Sequence, residues 1–260
     1  MTTARTEALP ASSATDADEI PWYDLIPEVP EPPEDAMQQD DVITLIKAIL
    51  MARFADDPSA LIMGPSVNLV YDSAVPGSFI VPDCFVVFGV DVPTIRHARR
   101  SYRIDEWGQT PAFVLEVGSP STAARDLGVK REIYTSMGAQ EYWRLDVTGG
   151  EFYGEPLVGE RLVDGEYERI ELQGEADGDT WSRSDALGVD FYHRLDDDGY
   201  STFELRDSET GEWLNFLDRE VAARQTAEAQ ARAAETRAQA AEARNRELEA
   251  ELERLRQGEG

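Results

Sequence analysis

The chain has 260 residues, 42% of them hydrophobic, which is enough for one globular domain with appendages or for two small domains. Its net charge of −28 argues against a general nucleic-acid-binding surface, because a polyanion repels phosphate. The single cysteine, Cys84, excludes an internal disulfide framework and a cysteine-based zinc site. The apolar runs are too short to span a bilayer, and the N-terminus lacks the pattern of a secretory signal. We therefore expect a cytoplasmic protein with no membrane partner.

Composition divides the chain into regions. Residues 1–36 are rich in acidic residues and proline, which predicts a flexible leader. Residues 37–215 combine apolar runs with turn residues and are predicted to fold, with a core at 38–150. An acidic, β-rich extension at 150–215 is expected to add short hairpins to one edge of a sheet.

The predicted elements of the core alternate between helix and strand. Apolar residues at three- and four-residue steps predict a helix over 38–55. Strands are expected over 67–71 and over 79–88, the second one interrupted by Pro82-Asp83. A mixed loop or short helix is expected over 91–110.

An almost continuously apolar strand is predicted over 112–118, as in a strand covered on both faces. A helix is expected from Ser119 to Met137, ended by Gly138, and a strand over 142–147. This order predicts an α/β fold with a mixed sheet flanked by helices.

A long C-terminal helix is predicted over residues 219–257. Apolar residues recur there in steps of three and four, and Asn245 falls at an a position of the heptad, where a buried Asn fixes register. The pattern predicts a coiled coil, and with it a homodimer or a higher homo-oligomer. A solvated single helix is the alternative, because an alanine-rich seam buries little area.

One carboxylate, Glu116, interrupts the apolar run of the central strand. Burying an ionised carboxylate costs several kcal/mol unless a cation or a metal compensates for it. The next predicted helix carries Lys130, one of only two lysines among 24 basic residues. A chain that uses arginine for nearly every positive charge, yet has lysine here, indicates a need for a compact amine. The pair therefore marks a candidate chemical site.

The surrounding pattern resembles the PD-(D/E)xK nuclease superfamily, and more closely its Uma2 branch, formerly DUF820. The elements that match, in chain order, are Val81-Pro82-Asp83, Val114-Leu115-Glu116-Val117, Ser119-Pro120-Ser121-Thr122, Asp126 to Lys130, Tyr134, Gly138, and Glu141-Tyr142-Trp143 with Asp146. The resemblance covers about residues 38–150.

The resemblance implies a restriction-endonuclease-like core and a metal-dependent endonuclease with DNA as substrate. Asp83, Glu116 and the backbone carbonyl of Val117 would hold Mg²⁺ or Mn²⁺, ions that prefer oxygen ligands. Lys130 would orient or deprotonate the attacking water, or stabilise negative charge on the phosphorus group. The superfamily's usual lysine, two residues after Glu116, is replaced by Gly118. Catalysis therefore depends on Lys130 reaching the same point from the helix.

Each of these residues also has a purely structural interpretation. Asp83 could be an ordinary turn carboxylate, and Glu116 could belong to a structural ion pair. Lys130 and Asp126 could form a surface pair at i and i+4. Tyr134 is expected to pack rather than to react. The alternative function is a catalytically inactive, nuclease-like scaffold that oligomerises through its C-terminal coil.

Overall fold

The computed structural model describes most of the predicted folded region. The described residues are 36–98, 101–176, 178–196 and 199–215. The predicted leader, apart from Ala36, and the predicted coiled coil at 219–257 lie outside them. Within these ranges no helix is both long enough and apolar enough to cross a membrane.

Five helices and fourteen strands follow one another along the described residues. The helices are α1 (Ala36–Arg53), α2 (Val92–Ala98), α3 (Ile104–Trp107), α4 (Ala123–Leu127) and α5 (Val129–Met137). The strands are β1 (Leu61–Met63), β2 (Asn68–Val70), β3 (Phe79–Ile80), β4 (Cys84–Val87), β5 (Ser101–Arg103), β6 (Phe113–Val117), β7 (Glu141–Leu145), β8 (Leu157–Val163), β9 (Glu166–Arg169), β10 (Gln173–Gly174), β11 (Thr180–Ser184), β12 (Val189–Leu195), β13 (Ser201–Asp207) and β14 (Trp213–Leu214).

A central sheet of six strands has the order β1-β4-β6-β7-β8-β9. Strands β6 and β7 are parallel, and the other neighbouring pairs are antiparallel. Parallel neighbours need a crossover connection, and α4 with α5 supplies it. The predicted mixed α/β fold is confirmed.

The two faces of the central sheet are covered by different elements. On one face α1 and a second sheet, β10 to β14, share a core to which Ile46 and Phe191 belong. On the other face α5 and a three-stranded sheet, β3-β2-β5, share a core that includes Tyr134 and Leu69. Because side chains alternate along a strand, Glu116 shares the α5 face with Val114.

The acidic extension does more than add hairpins to an edge. Strands β8 and β9 do extend the edge of the central sheet, but β10 to β14 form an antiparallel sheet of their own. Phe191 of β12 stacks on Trp143 of β7, with ring centroids 4.7 Å apart. The second sheet therefore covers apolar surface that α1 leaves open.

The predicted helix over 119–137 is in fact two helices. A turn at residues 120–122 precedes α4, and Gly128, with φ −114° and ψ −100°, separates α4 from α5. Gly138 ends α5 with φ 79°, as predicted. Strand β1 was not predicted, because three residues are too short to show a period.

Close packing between β7 and β8 can be tested at Gly159. A Cβ atom there would lie 2.9 Å from indole carbons of Trp143, which is its cross-strand partner. We expect Gly159→Ala to lower the free energy of unfolding by about 1–3 kcal/mol through overpacking. Gly174→Ala, where a Cβ meets nothing within 4 Å, is the control and should lower it little or not at all. Urea denaturation measures both, and equal effects would contradict this packing.

Candidate active site

Asp83 and Glu116 lie opposite each other at one end of the central sheet. Cys84 pairs with Leu115 in the antiparallel register of β4 and β6, so Asp83, just before β4, lies opposite Glu116. Oδ2 of Asp83 accepts a hydrogen bond from the backbone N–H of Val117 at 2.7 Å. This contact crosses from one strand to the next, so Asp83 does more than close a local turn.

The amine of Lys130 reaches Glu116 from α5. Its Nζ lies 2.8 Å from Oε2 of Glu116 and 2.8 Å from Oδ1 of Asp126. Glu116 is 1% exposed, Asp126 is fully buried and Lys130 is 7% exposed. The pair of Lys130 and Asp126 is therefore present but buried, not on the surface, and the amine also lies against Glu116.

The connection between β6 and α5 explains this position. The carbonyl of Ser119 accepts hydrogen bonds from the N–H groups of Thr122 and Ala123, which turns the chain before α4. The helix is then interrupted at Gly128, so Asp126 lies on α4 and Lys130 lies on α5. The pair thus meets across a helix break rather than along one regular helix.

Tyr134 has a role that its pattern did not indicate. Its hydroxyl donates a hydrogen bond of 2.5 Å to Oε1 of Glu116. It also packs as predicted, with its ring 5.0 Å from that of Tyr142. The one sequence feature that could have indicated this role is the position of Tyr134, one turn after Lys130 on the same helix face. Both oxygens of Glu116 are therefore fixed by residues of α5.

Gln39 contacts the site from the opposite face of the sheet, and no pattern in the sequence indicated this. The residue lies on α1, is 4% exposed, and donates a hydrogen bond of 2.7 Å to the carbonyl of Val117. A carbonyl oxygen has two lone pairs, so this contact leaves one for a further partner.

Tyr153 fills the space beside Gly118, the position where the resemblance to PD-(D/E)xK nucleases would place a lysine. A Cβ atom on Gly118 would lie 2.9 Å from the ring of Tyr153 and 3.1 Å from that of Phe152. The hydroxyl of Tyr153 donates a hydrogen bond of 2.7 Å to Oδ2 of Asp126. A side chain at position 118 would therefore displace the tyrosine.

The site contains three carboxyl groups, those of Asp83, Glu116 and Asp126, and one amine, that of Lys130. Burial, and next repulsion from Glu116, raise the pKa of Asp83 well above its ordinary value. Burial also raises the pKa of Glu116, although Lys130 offsets part of this effect. Burial opposes the charge of Lys130, but its two carboxylate neighbours raise its pKa above the ordinary value. One ammonium thus compensates incompletely for the carboxylates around it.

The donor atoms of this site fit a divalent cation. Asp83, Glu116 and the carbonyl of Val117 offer oxygen ligands, which Mg²⁺ and Mn²⁺ prefer. A divalent cation would also offset the excess negative charge. The described part of the chain contains no group of three or more His, Cys, Asp or Glu side chains that could hold a metal ion. An ion bound here would have two carboxylates and one carbonyl as its protein ligands, and water would have to complete its coordination.

The excess charge predicts opposite effects on stability for two substitutions. Without divalent cations, Asp83→Asn should raise the free energy of unfolding by about 0.5–2 kcal/mol, because it removes repulsion and keeps an acceptor for Val117. Lys130→Met should lower the free energy of unfolding by about 3–5 kcal/mol, because Glu116 and Asp126 would stay buried without a compensating cation. Urea denaturation in a chelating buffer measures both, and a loss of stability in both variants would contradict the charge balance.

The comparison with family models agrees with the sequence resemblance. The family model Uma2, described as "putative restriction endonuclease", matches residues 23–196. The comparison with curated proteins gives no match. Among solved structures, the crystal structure of "a putative nuclease belonging to DUF820" from Anabaena variabilis is similar at 14% identity and a TM-score of 0.39. The match covers 57% of this chain and 75% of that chain.

Proposed function

The chain belongs to the Uma2 family, and on that basis we propose that it is a metal-dependent endonuclease that hydrolyses phosphodiester bonds in DNA. The observation that carries the proposal is the contact between Lys130 and Glu116, 2.8 Å long and buried, beside Asp83. A restriction-endonuclease-like core is part of the same proposal, and the parallel β6 and β7 with their helical crossover support it.

Asp83, Glu116 and the carbonyl of Val117 would hold Mg²⁺ or Mn²⁺. When bound, such an ion neutralises phosphate charge and makes a water nucleophilic near neutral pH. The protein's own contribution is to hold these donors in place before the ion arrives. The N–H of Val117 fixes one oxygen of Asp83, and Gln39 holds the carbonyl of Val117 from α1.

Lys130 supplies a positive charge from the protein itself, in addition to that of any bound ion. Its amine, held between Glu116 and Asp126, has N–H donors for the attacking water or for developing charge on the phosphate oxygens. Tyr134 holds the second oxygen of Glu116, so the carboxylate cannot turn away from the sheet edge. Such fixed donors stabilise a transition state without reorganising during the reaction.

The distribution of charge is compatible with DNA as the substrate. Residues 61–149, which carry the site, have 10 acidic and 8 basic residues, whereas residues 150–218 have 20 and 5. The site thus lies in the least acidic part of the folded region. A divalent cation would further reduce repulsion of phosphate there.

An inactive scaffold is the less favoured function. A scaffold gains nothing from burying an incompletely compensated carboxylate cluster, which lowers stability, whereas active sites commonly carry this cost. Self-association through residues 219–257 stays a prediction, because this segment lies outside the described residues. A cytoplasmic location also stays a prediction.

Cleavage of DNA is the direct test. With Mg²⁺ or Mn²⁺, the wild-type protein should cleave supercoiled or linear DNA. Glu116→Gln and Lys130→Met should each lower the cleavage rate by about 10²–10⁴-fold, the usual contribution of such groups. Asp190→Asn is the control, because Asp190 is a buried, ion-paired carboxylate on the second sheet and should leave the rate near wild type. Absence of wild-type cleavage, or undiminished cleavage by Glu116→Gln, would contradict the proposed activity.

Calorimetric titration with Mn²⁺ or Mg²⁺ separates an enzyme from a scaffold. We expect the wild-type protein to bind the ion and Asp83→Asn to weaken binding by at least about tenfold, as loss of even an outer partner does. Asp190→Asn again serves as the control and should bind normally. Equal affinity of Asp83→Asn and wild type would remove Asp83 from the ligand set.

A further inference from the structure

A line of contacts leads from Tyr153 to Glu116. The hydroxyl of Tyr153 donates a hydrogen bond of 2.7 Å to Oδ2 of Asp126. The other oxygen of Asp126 lies 2.8 Å from the amine of Lys130, which in turn contacts Glu116 at 2.8 Å. Among the contacts of the described residues, Tyr153 therefore makes no hydrogen bond to Asp83, Glu116 or Lys130. It acts on the amine of Lys130 through Asp126.

The orientation of Asp126 depends on this hydroxyl. The short helix α4 carries Asp126, and the break at Gly128 separates it from α5. Tyr142 holds the backbone of the residue, because its hydroxyl donates to the carbonyl of Asp126 at 3.0 Å. The carboxylate is fully buried, so water cannot easily replace a lost donor. Removing the hydroxyl of Tyr153 would free the side chain but not the backbone.

Lys130 needs such a restraint. A lysine has a flexible four-carbon stem and a compact charge, and holding it in one orientation costs side-chain entropy. Glu116 alone offers one oxygen to the amine, since Tyr134 takes the other. The second contact, an ion pair with Oδ1 of Asp126, holds the amine from another side.

The loop that carries Tyr153 is itself held in place. Oδ2 of Asp146 accepts hydrogen bonds from the N–H groups of Phe152 at 2.7 Å and Tyr153 at 3.1 Å. Oδ1 of the same buried carboxylate accepts from Thr148. The ring of Tyr153 then occupies the space beside Gly118. A lysine at position 118 and Tyr153 in this position exclude each other.

We propose that Tyr153 is a positioning residue that, through Asp126, fixes the amine of Lys130 against Glu116. The effect on cleavage rests on the proposed nuclease function, whereas the effect on Lys130 does not. A lysine at position 118 would be oriented by the strand that carries it. Lys130 comes from a helix instead, and in this arrangement Tyr153 and Asp126 orient its amine.

The two lysines of the chain make the proposal directly measurable. Protein labelled with ¹⁵N on the lysine side chains gives at most one amine signal each for Lys47 and Lys130 in NMR, and Lys47→Arg assigns them. Tyr153→Phe removes the hydroxyl but keeps the ring beside Gly118. The matched control is Tyr167→Phe, because that hydroxyl donates to the carbonyl of Ala139 at 2.8 Å.

We expect Tyr153→Phe to shift or broaden the Lys130 signal while the Lys47 signal stays unchanged. Tyr167→Phe should change neither signal. Asp126→Asn is a second variant, which removes the negative charge next to the amine, and it should alter the Lys130 signal too. An unchanged Lys130 signal in folded Tyr153→Phe would overturn the proposal, whether or not the protein cleaves DNA.

Steady-state cleavage is the second readout. Tyr153→Phe should lower kcat by about 10–100-fold, as loss of an outer partner does, with little change in KM. Tyr167→Phe should match the wild type. A wild-type kcat in Tyr153→Phe, or a lower kcat without any change in the Lys130 signal, would overturn the positioning role. If the wild type does not cleave, the proposed function fails and the NMR signals alone decide the role of Tyr153.

Discussion

Burial of Glu116 in a strand that is covered on both faces governs the rest of this structure. A carboxylate without water needs compensating partners, and α5 provides them in Lys130 and Tyr134. To bring α5 over the sheet, the chain turns after β6, and the helical segment is interrupted at Gly128. Compensation is incomplete because Asp83 and Asp126 add further negative charge. That imbalance lowers stability, and the proposed binding of a divalent cation depends on it.

Neighbouring strands place two buried glutamates on opposite faces with different roles. Glu116 of β6 faces α5, whereas Glu141 of β7 faces the second sheet. Glu141 accepts hydrogen bonds from the side chains of Trp143 and Ser184 and from the backbone of Asp185. It therefore ties the second sheet to the central one, and that sheet in turn packs Phe191 against Trp143. The rigid scaffold and the candidate site thus share one pair of parallel strands.

Much of the candidate site could be predicted because its signals are local. A glutamate within an apolar strand is anomalous, and Lys130 is one of two lysines. Tyr134 could be found from its place one turn along α5, although its hydrogen bond could not. Gln39 and Tyr153 gave no such signal. Gln39 is 78 residues from its partner Val117, and Tyr153 is 27 residues from Asp126.

The sequence by itself determined the features that depend on neighbouring residues: the buried strand β6, the end of α5 at Gly138, and the side-chain alternation that directs Glu116 toward α5. These follow from strand period and backbone conformation, which act over a few residues. Only the tertiary structure decided that β10 to β14 cover the face beside α1, and that the ring of Tyr153 lies against Gly118. Such contacts depend on how distant segments pack against one another, which no local period records.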